Sequence, residues 1–260
     1  MLKLDKKYFI KAKVQFDTAF HIGSGKAGDG RVDNGILKDF QGKPILTGST
    51  LKGNFRALAE RISHSLNQTA CFLDMNLSSG NDFECINGVS NDRYRDLKKD
   101  INKSSNPYDY MKNNKYICDI CNLFGSKIHA SRIFFSDGLL NLDTWNDITY
   151  IRDGVVIDRD TETARDSLKY DFEVAPENTT FDIKIEIENP SKEELNLIQA
   201  VLTIWKEGFS VGGNSSRGLG KAHLKDLEIK FLDFSDQSAF SNFIKNGAEK
   251  LPVMNLSALS

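Results

Sequence analysis

The chain has 260 residues, 40% hydrophobic and 27% charged, with a formal net charge of −2 and a pI near 6.1. That length carries one large domain or two small ones, and the charge balance excludes a nucleic-acid binder that is basic all over; any basic groove must be gathered on one face. No run approaches the roughly 20 apolar residues of a membrane span, and MLKLDKKYFIKAKV lacks a signal-peptide core, so the expected setting is the cytoplasm, with no membrane partner.

Residues 7–16 alternate apolar and polar and predict a strand. His21 to Gly30 is a glycine-rich loop, and residues 31–39 and 44–47 read as short strands around the turn Gln41-Gly42-Lys43-Pro44. Leu51, Phe55, Leu58, Ala59, Ile62 and Leu66 recur at helical spacing, which predicts an amphipathic helix over 50–66 with Ser49 as its N-cap. Residues 67–117 lose apolar periodicity; a structureless loop that long is uncommon in a compact domain unless a metal orders it. Regularity returns with a buried strand over 128–140, a long hairpin from 148–158 and 168–175, and a strand over 180–188. Ser191 and Glu194 suit a capping box for a helix over 192–207. A second glycine-rich run, GGNSSRGLG at 212–220, precedes a last strand over 221–232 and a polar tail from 233 with a short helical stretch. Strands around two helices predict an α+β sandwich with an antiparallel sheet, compatible with a ferredoxin-like arrangement.

Two literal motifs fail on context. Gly23-x-Gly25-x-x-Gly28 is followed by strand-like sequence where a dinucleotide site needs a helix, and Asp158-x-Asp160-x-Glu162 lacks both the glycine and the closing glutamate of a calcium loop.

Four signals carry chemistry. Lys52 and Arg56 are i,i+4 neighbours at a helix start, with Gly53 between them leaving room for another backbone; two cations beside exposed amides suit a phosphodiester. The glycines of GGNSSRGLG permit successive amides to point at one anion, with Arg217 as a fork. Asp33 is a lone carboxylate beside a flexible loop; RNA brings its own 2′-hydroxyl nucleophile, so alignment, one carboxylate and a metal completed by substrate phosphate are enough for cleavage. Cys71, Cys85, Cys118 and Cys121 all fall within residues 68–125 and include a C-x-x-C, the half-site of a structural zinc, with His64 as a substitute ligand.

The ordered series VDNGILKD, PILTGSTLKGNFR, CDICNLFGS, a hairpin ending in YDFEV, and GGNSSRGLG resembles the filament-forming backbone subunit of type III CRISPR effector complexes, in the RAMP superfamily, over roughly residues 8–230. The resemblance implies a modified RRM-like core over 1–66 and 126–232, a zinc-binding insertion over 67–125, a thumb-like hairpin over 150–174 and a C-terminal tail over 233–260. It implies guide-RNA contacts from His21, Ser49, Lys52, Gly53, Arg56, Gly212, Gly213, Asn214, Ser215, Ser216 and Arg217, and a thumb whose Val155, Val156 and Ile157 wedge into the guide–target duplex. It further implies that Asp33 cuts target RNA with Mg²⁺ or another divalent cation, leaving a 2′,3′-cyclic phosphate, with Asp29 and Asp39 as nearby fallbacks. The implied partners are guide RNA, complementary target RNA, further copies of the chain in a filament and other subunits. Alternatives are a non-catalytic guide-binding scaffold of the same kind, a stand-alone endoribonuclease that processes precursor guide RNA, and an unrelated zinc protein with glycine-rich loops. The scattered His64, His129 and His223 do not favour the processing enzyme.

Overall fold

The computed structural model describes residues 3–25, 32–71 and 85–259, with the backbone alone at 156 and 164–168. In chain order its elements are β1 (Lys6–Phe16), α1 (Gly48–Ser63), α2 (Asn91–Lys103), α3 (Pro107–Asn113), α4 (Asp119–Phe124), β2 (Ile133–Phe135) and β3 (Leu139–Leu140). There follow β4 (Tyr150–Ile157), β5 (Ala164–Val174), β6 (Thr180–Glu188), α5 (Lys192–Glu207), β7 (Phe209–Ser210), β8 (Lys221–Asp233), α6 (Gln237–Asn246) and β9 (Val253–Met254).

The main sheet runs β2-β6-β1-β8-β7, with β3 beside β6 and β9 beside β8, and every pairing is antiparallel. Helix α1 follows β1 and helix α5 follows β6, so β1-α1-β2-β6-α5-β8 traces a βαββαβ unit. The strand alternation does what its period dictates: Ile10, Ala12, Val14 and Phe16 of β1, and Phe181, Ile183, Ile185 and Ile187 of β6, face the helices and are buried. Leu51, Phe55 and Ala59 of α1 and Leu197, Ile198, Val201, Leu202 and Trp205 of α5 close the core over them. Phe55 is its aromatic hub, edge-on to Trp205 at 5.0 Å and against Phe135 at 5.4 Å. A separate two-stranded sheet, β4-β5, leaves the body as a hairpin, with Tyr150 opposite Val174 at its base and Asp158–Thr163 closing its tip.

Several elements differ from expectation. α1 starts two residues early, because Thr47 is the N-cap and its hydroxyl accepts from the amide of Thr50; Ser49 lies inside the helix, and a 3-10 turn over His64–Leu66 replaces the last predicted turn. The 128–140 segment is two short strands broken at Ser136–Gly138, with Phe134 exposed. The polar stretch 67–117 contains α2 and α3, which were not expected, because their inward Leu97, Ile101 and Met111 are outnumbered by charged and polar residues; α4 is likewise additional to the two expected helices and the helical stretch of the tail, which is α6. In the tail the expected helical stretch is α6; β9 also extends the sheet, and Leu251 and Leu259 are buried. The capping box is as the sequence predicts, with Ser191 and Glu194 exchanging both bonds at the start of α5.

Candidate nucleic-acid and metal sites

His21 is the point where three chain segments converge. Its ring Nδ1 donates to the carbonyl of Glu173 at 2.7 Å, and its own carbonyl accepts from the amide of Gly213 at 2.8 Å. A Cβ on Gly212, which has φ +92°, would lie 2.4 Å from that same carbonyl. Glycine is therefore required at 212 so that the late glycine-rich loop can lie flat on the His21 backbone. Beyond them Asn214 takes a left-handed conformation and Ser215–Arg217 form a 3-10 turn, with Ser215, Ser216 and Arg217 exposed. Arg217 donates to the hydroxyl of Tyr170 on β5, so the loop reaches the hairpin as well.

The Asp33 loop adds itself to the same place. Asp33 is exposed and its Oδ2 accepts from the amide of Asp171 at 2.9 Å. Asn34 bridges Phe172 in parallel, through Asn34 N to Asp171 O and Glu173 N to Asn34 O. Glu173, which sequence reasoning missed, is buried and holds the junction: its carboxylate accepts from Lys38, Thr149 and the amide of Ile36. Burial alone would raise the Glu173 pKa, but these three donors outweigh it and hold it below the ordinary value. Asp39 sits in a turn, where its Oδ1 accepts from the amides of Gln41 and Lys43. Asp29 lies outside the described residues.

At the start of α1 the amide of Gly48 donates to Asp137 at 2.7 Å and that of Thr50 to the Thr47 cap, so two of the first three amides are already bonded within the chain where exposed amides were expected. Gly48 is also where a backbone approaches closely, with Phe135 O 2.4 Å from the place of a Cβ; Gly53 has nothing within 4 Å and presents bare helix surface. Ser49 and Gly53 are exposed, and Lys52 is half-buried with its Nζ on the Ser131 hydroxyl at 2.7 Å. Burial, then the charge of Arg56, holds the Lys52 pKa below its ordinary value. Asn54 donates to Ser210 O at 2.6 Å, linking α1 to the chain entering the glycine-rich loop. The sequence signal for Asn54 was there in the same G-S-x-L-K-G-N stretch, but a mid-helix asparagine reads as a mere solvent-facing residue.

The cysteines converge. Cys71, Cys85, Cys118 and Cys121 are buried and unbridged, with their sulfurs all within 4.8 Å of one another. Cys71 Sγ is 3.4 Å from Cys121 Sγ and 3.7 Å from Cys118 Sγ. A zinc tetrahedron with Zn–S near 2.3 Å has sulfurs about 3.8 Å apart, so the cluster has the size and donor set of a structural zinc site. Local chemistry builds it: Cys118 is the N-cap of α4 and accepts from the Cys121 amide, while Thr69 and Asp119 exchange bonds that hold the Cys71 segment against α4. His64 is exposed in its 3-10 turn and outside this group, so it is not the substitute ligand. Among the described residues the four cysteines are the one cluster of three or more metal-ligating side chains, and Asp33 is not part of a preformed cation cage.

On the hairpin, Val155 and Ile157 are exposed, and the β4–β5 register shifts between them at Val156. Among the described residues no helix is long and apolar enough to cross a membrane.

The fold is thus a βαββαβ body with a projecting hairpin, and the late glycine-rich loop is seated on His21. The RAMP superfamily model matches residues 13–223, and the chain belongs to that superfamily. It is 25% identical over 242 residues, 88% of this chain and 82% of the relative, to the "CRISPR system Cms endoribonuclease Csm3" of Methanocaldococcus jannaschii. It is 24% identical over 241 residues, 85% of this chain and 89% of the relative, to the protein of the same name from Streptococcus thermophilus.

Proposed function

We propose that the chain is a backbone subunit of a type III CRISPR effector complex that holds guide RNA and cuts complementary target RNA at Asp33. Superfamily membership and two relatives called Csm3 endoribonucleases support the class. The observation that carries the activity is the docking of the exposed Asp33 loop on β5, beside the glycine-rich loop and at the base of the hairpin. In this reading the guide backbone runs over Ser49, Lys52 and Gly53 and the loop Gly212, Gly213, Asn214, Ser215, Ser216 and Arg217. The hairpin with Val155, Val156 and Ile157 is the thumb that interrupts the duplex, and copies of the chain repeat the arrangement along the guide beside the other subunits. Base pairing supplies the sequence specificity and the protein the backbone geometry.

For cleavage, the 2′-oxygen of the target attacks its own 3′-phosphorus, the 5′-oxygen leaves with a proton, and a 2′,3′-cyclic phosphate remains. A divalent cation held by Asp33 and the phosphate would relieve the developing charge. The chain's part is to fix the carboxylate: the Asp171 amide, the Asn34 bridge and the buried Glu173 set its position before RNA arrives. The four cysteines hold zinc and give the polar insertion a core it cannot build alone.

The test is target cleavage by the reconstituted complex, wild type against Asp33→Ala, with Mg²⁺ and with EDTA. Regularly spaced cuts that vanish in the variant and in EDTA, with RNA binding retained, are the expected result. Cuts that persist in Asp33→Ala move the chemistry to another residue and leave the chain a scaffold.

A further inference from the structure

Arg56 stands one turn after Lys52 and reads in the sequence as a second phosphate ligand, yet its guanidinium is turned inward. Nε pairs with Glu60 at 2.8 Å, Nη1 donates to Gly125 O at 3.3 Å, and Nη2 donates to Cys121 Sγ at 3.4 Å. The side chain is 17% exposed. Among the described residues no other side chain apart from the cysteines themselves is hydrogen-bonded to a sulfur of the cluster.

The charge balance gives this contact a purpose. Four thiolates around a divalent cation carry a net charge of −2, and all four cysteines are buried. A buried charge needs a hydrogen-bonded counter-charge, and partners of metal ligands tune both ligand basicity and metal retention. Arg56 supplies a permanent cation with forked donors directed at one sulfur and, through Gly125 O, at the end of the ligand helix α4. Glu60 offsets part of its charge and fixes the plane of the fork.

We propose that Arg56 is a positioning residue of the metal site. It neutralises the thiolate of Cys121 and clamps α1 to the metal-bearing insertion, while the RNA phosphate falls to Lys52. The inference rests on the zinc reading given above. It makes metal retention and the setting of the RNA-binding helix parts of one device, because Lys52 also leans on the loop after α4 through Ser131.

Two readouts on the purified chain and its RNA complex separate the roles. Zinc content of the wild type is measured first, then the rate of zinc transfer to a chromophoric chelator for wild type, Arg56→Gln and Arg56→Lys. In parallel, RNA affinity is measured against salt for the same proteins and for Lys52→Gln. The expected result is transfer accelerated at least about tenfold in Arg56→Gln, in line with outer-shell substitutions elsewhere, and not rescued by Arg56→Lys, which keeps the charge but not the fork. The salt slope stays at the wild-type value in both Arg56 variants and falls by about 0.7 in Lys52→Gln, as one lost phosphate contact requires. Should Arg56→Gln fail to fold, the Arg56→Lys comparison, with the thiolate charge-transfer band of the cobalt-loaded protein, decides alone. Wild-type release rates in both variants, or a salt slope that falls in Arg56→Gln as it does in Lys52→Gln, overturn the proposal and leave the zinc reading standing. A wild type that holds no metal overturns both.

Discussion

Asp33 receives the backbone amide of Asp171 on its Oδ2 at 2.9 Å, across 138 residues of sequence. A loop carrying a lone carboxylate is thereby made an extra edge of the hairpin, and Glu173 two residues further on locks it there. Glu173→Gln keeps the shape and removes the charge that Lys38, Thr149 and the Ile36 amide address. The expected outcome is target cleavage reduced about ten- to a hundredfold with RNA affinity within twofold, since small misplacement of a reacting group costs that much. Because the folded pKa of Glu173 is depressed, its ionised form contributes stability above the ordinary glutamate range near 4.3, and that contribution is lost as pH falls through the folded value. A melting-temperature titration between pH 6 and 3 then shows a steeper acid loss in wild type than in the variant; parallel curves sink the idea.

The two glycines of α1 answer in opposite directions. A Cβ at Gly48 meets Phe135 O at 2.4 Å, so Gly48→Ala forces α1 off β2 and lowers the melting temperature. A Cβ at Gly53 meets nothing within 4 Å in a helical backbone, so Gly53→Ala stabilises the free chain by roughly 0.5–1 kcal/mol. If RNA backbone lies on that bare surface, the same change weakens RNA binding. A variant that is both more stable and fully RNA-competent removes Gly53 from the interface.

The sequence was most legible where one period ruled one element. β1, β6 and α5 follow directly from alternation and from the Ser191/Glu194 box, because each buries one whole face against a single layer. The insertion was opaque for the opposite reason: α2 buries only Leu97 and Ile101 among charges. At the site, residue types identified the cysteine cluster, but not the partners of Arg56 and Glu173. Those depend on which side chains two chain crossings bring together, as with Arg56 and Cys121, 65 residues apart.

Metal removal tests the insertion as a folding unit. Ile86, Leu97, Ile101 and Met111 share one core with the four cysteines, so stripping a metal bound there is expected to loosen α2 and α3 together. One equivalent of zinc per chain is expected by atomic spectroscopy. Its removal, or Cys121→Ser, is expected to lower the melting temperature by about 10 °C, where about 1 kcal/mol corresponds to roughly 2–4 °C in a domain of this size. A metal-free protein that melts with the native one excludes a structural role.

The hairpin separates stability from function. Val155 and Ile157 are exposed, so Val155→Ser with Ile157→Ser is expected to leave the fold within about 0.5 kcal/mol of wild type. As thumb residues they would act on the duplex, so the complex keeps guide RNA but loses regular cleavage at least about fivefold. Unchanged cut sites and rates make the hairpin a bystander.

Lys52 provides the sharpest prediction from charge. Burial, and then Arg56, lower its folded pKa, so between the folded and unfolded values the unfolded chain binds more protons and the free protein gains stability as pH rises. A phosphate at Nζ reverses this preference, because an anion favours the ammonium. RNA affinity is therefore expected to fall over the alkaline interval in which the free chain becomes more stable, and Lys52→Gln flattens both trends. Melting curves and RNA titrations from pH 7.5 to 10 read them side by side. If affinity falls with pH as steeply in Lys52→Gln as in wild type, another cation holds the phosphate and the start of α1 is not the RNA site.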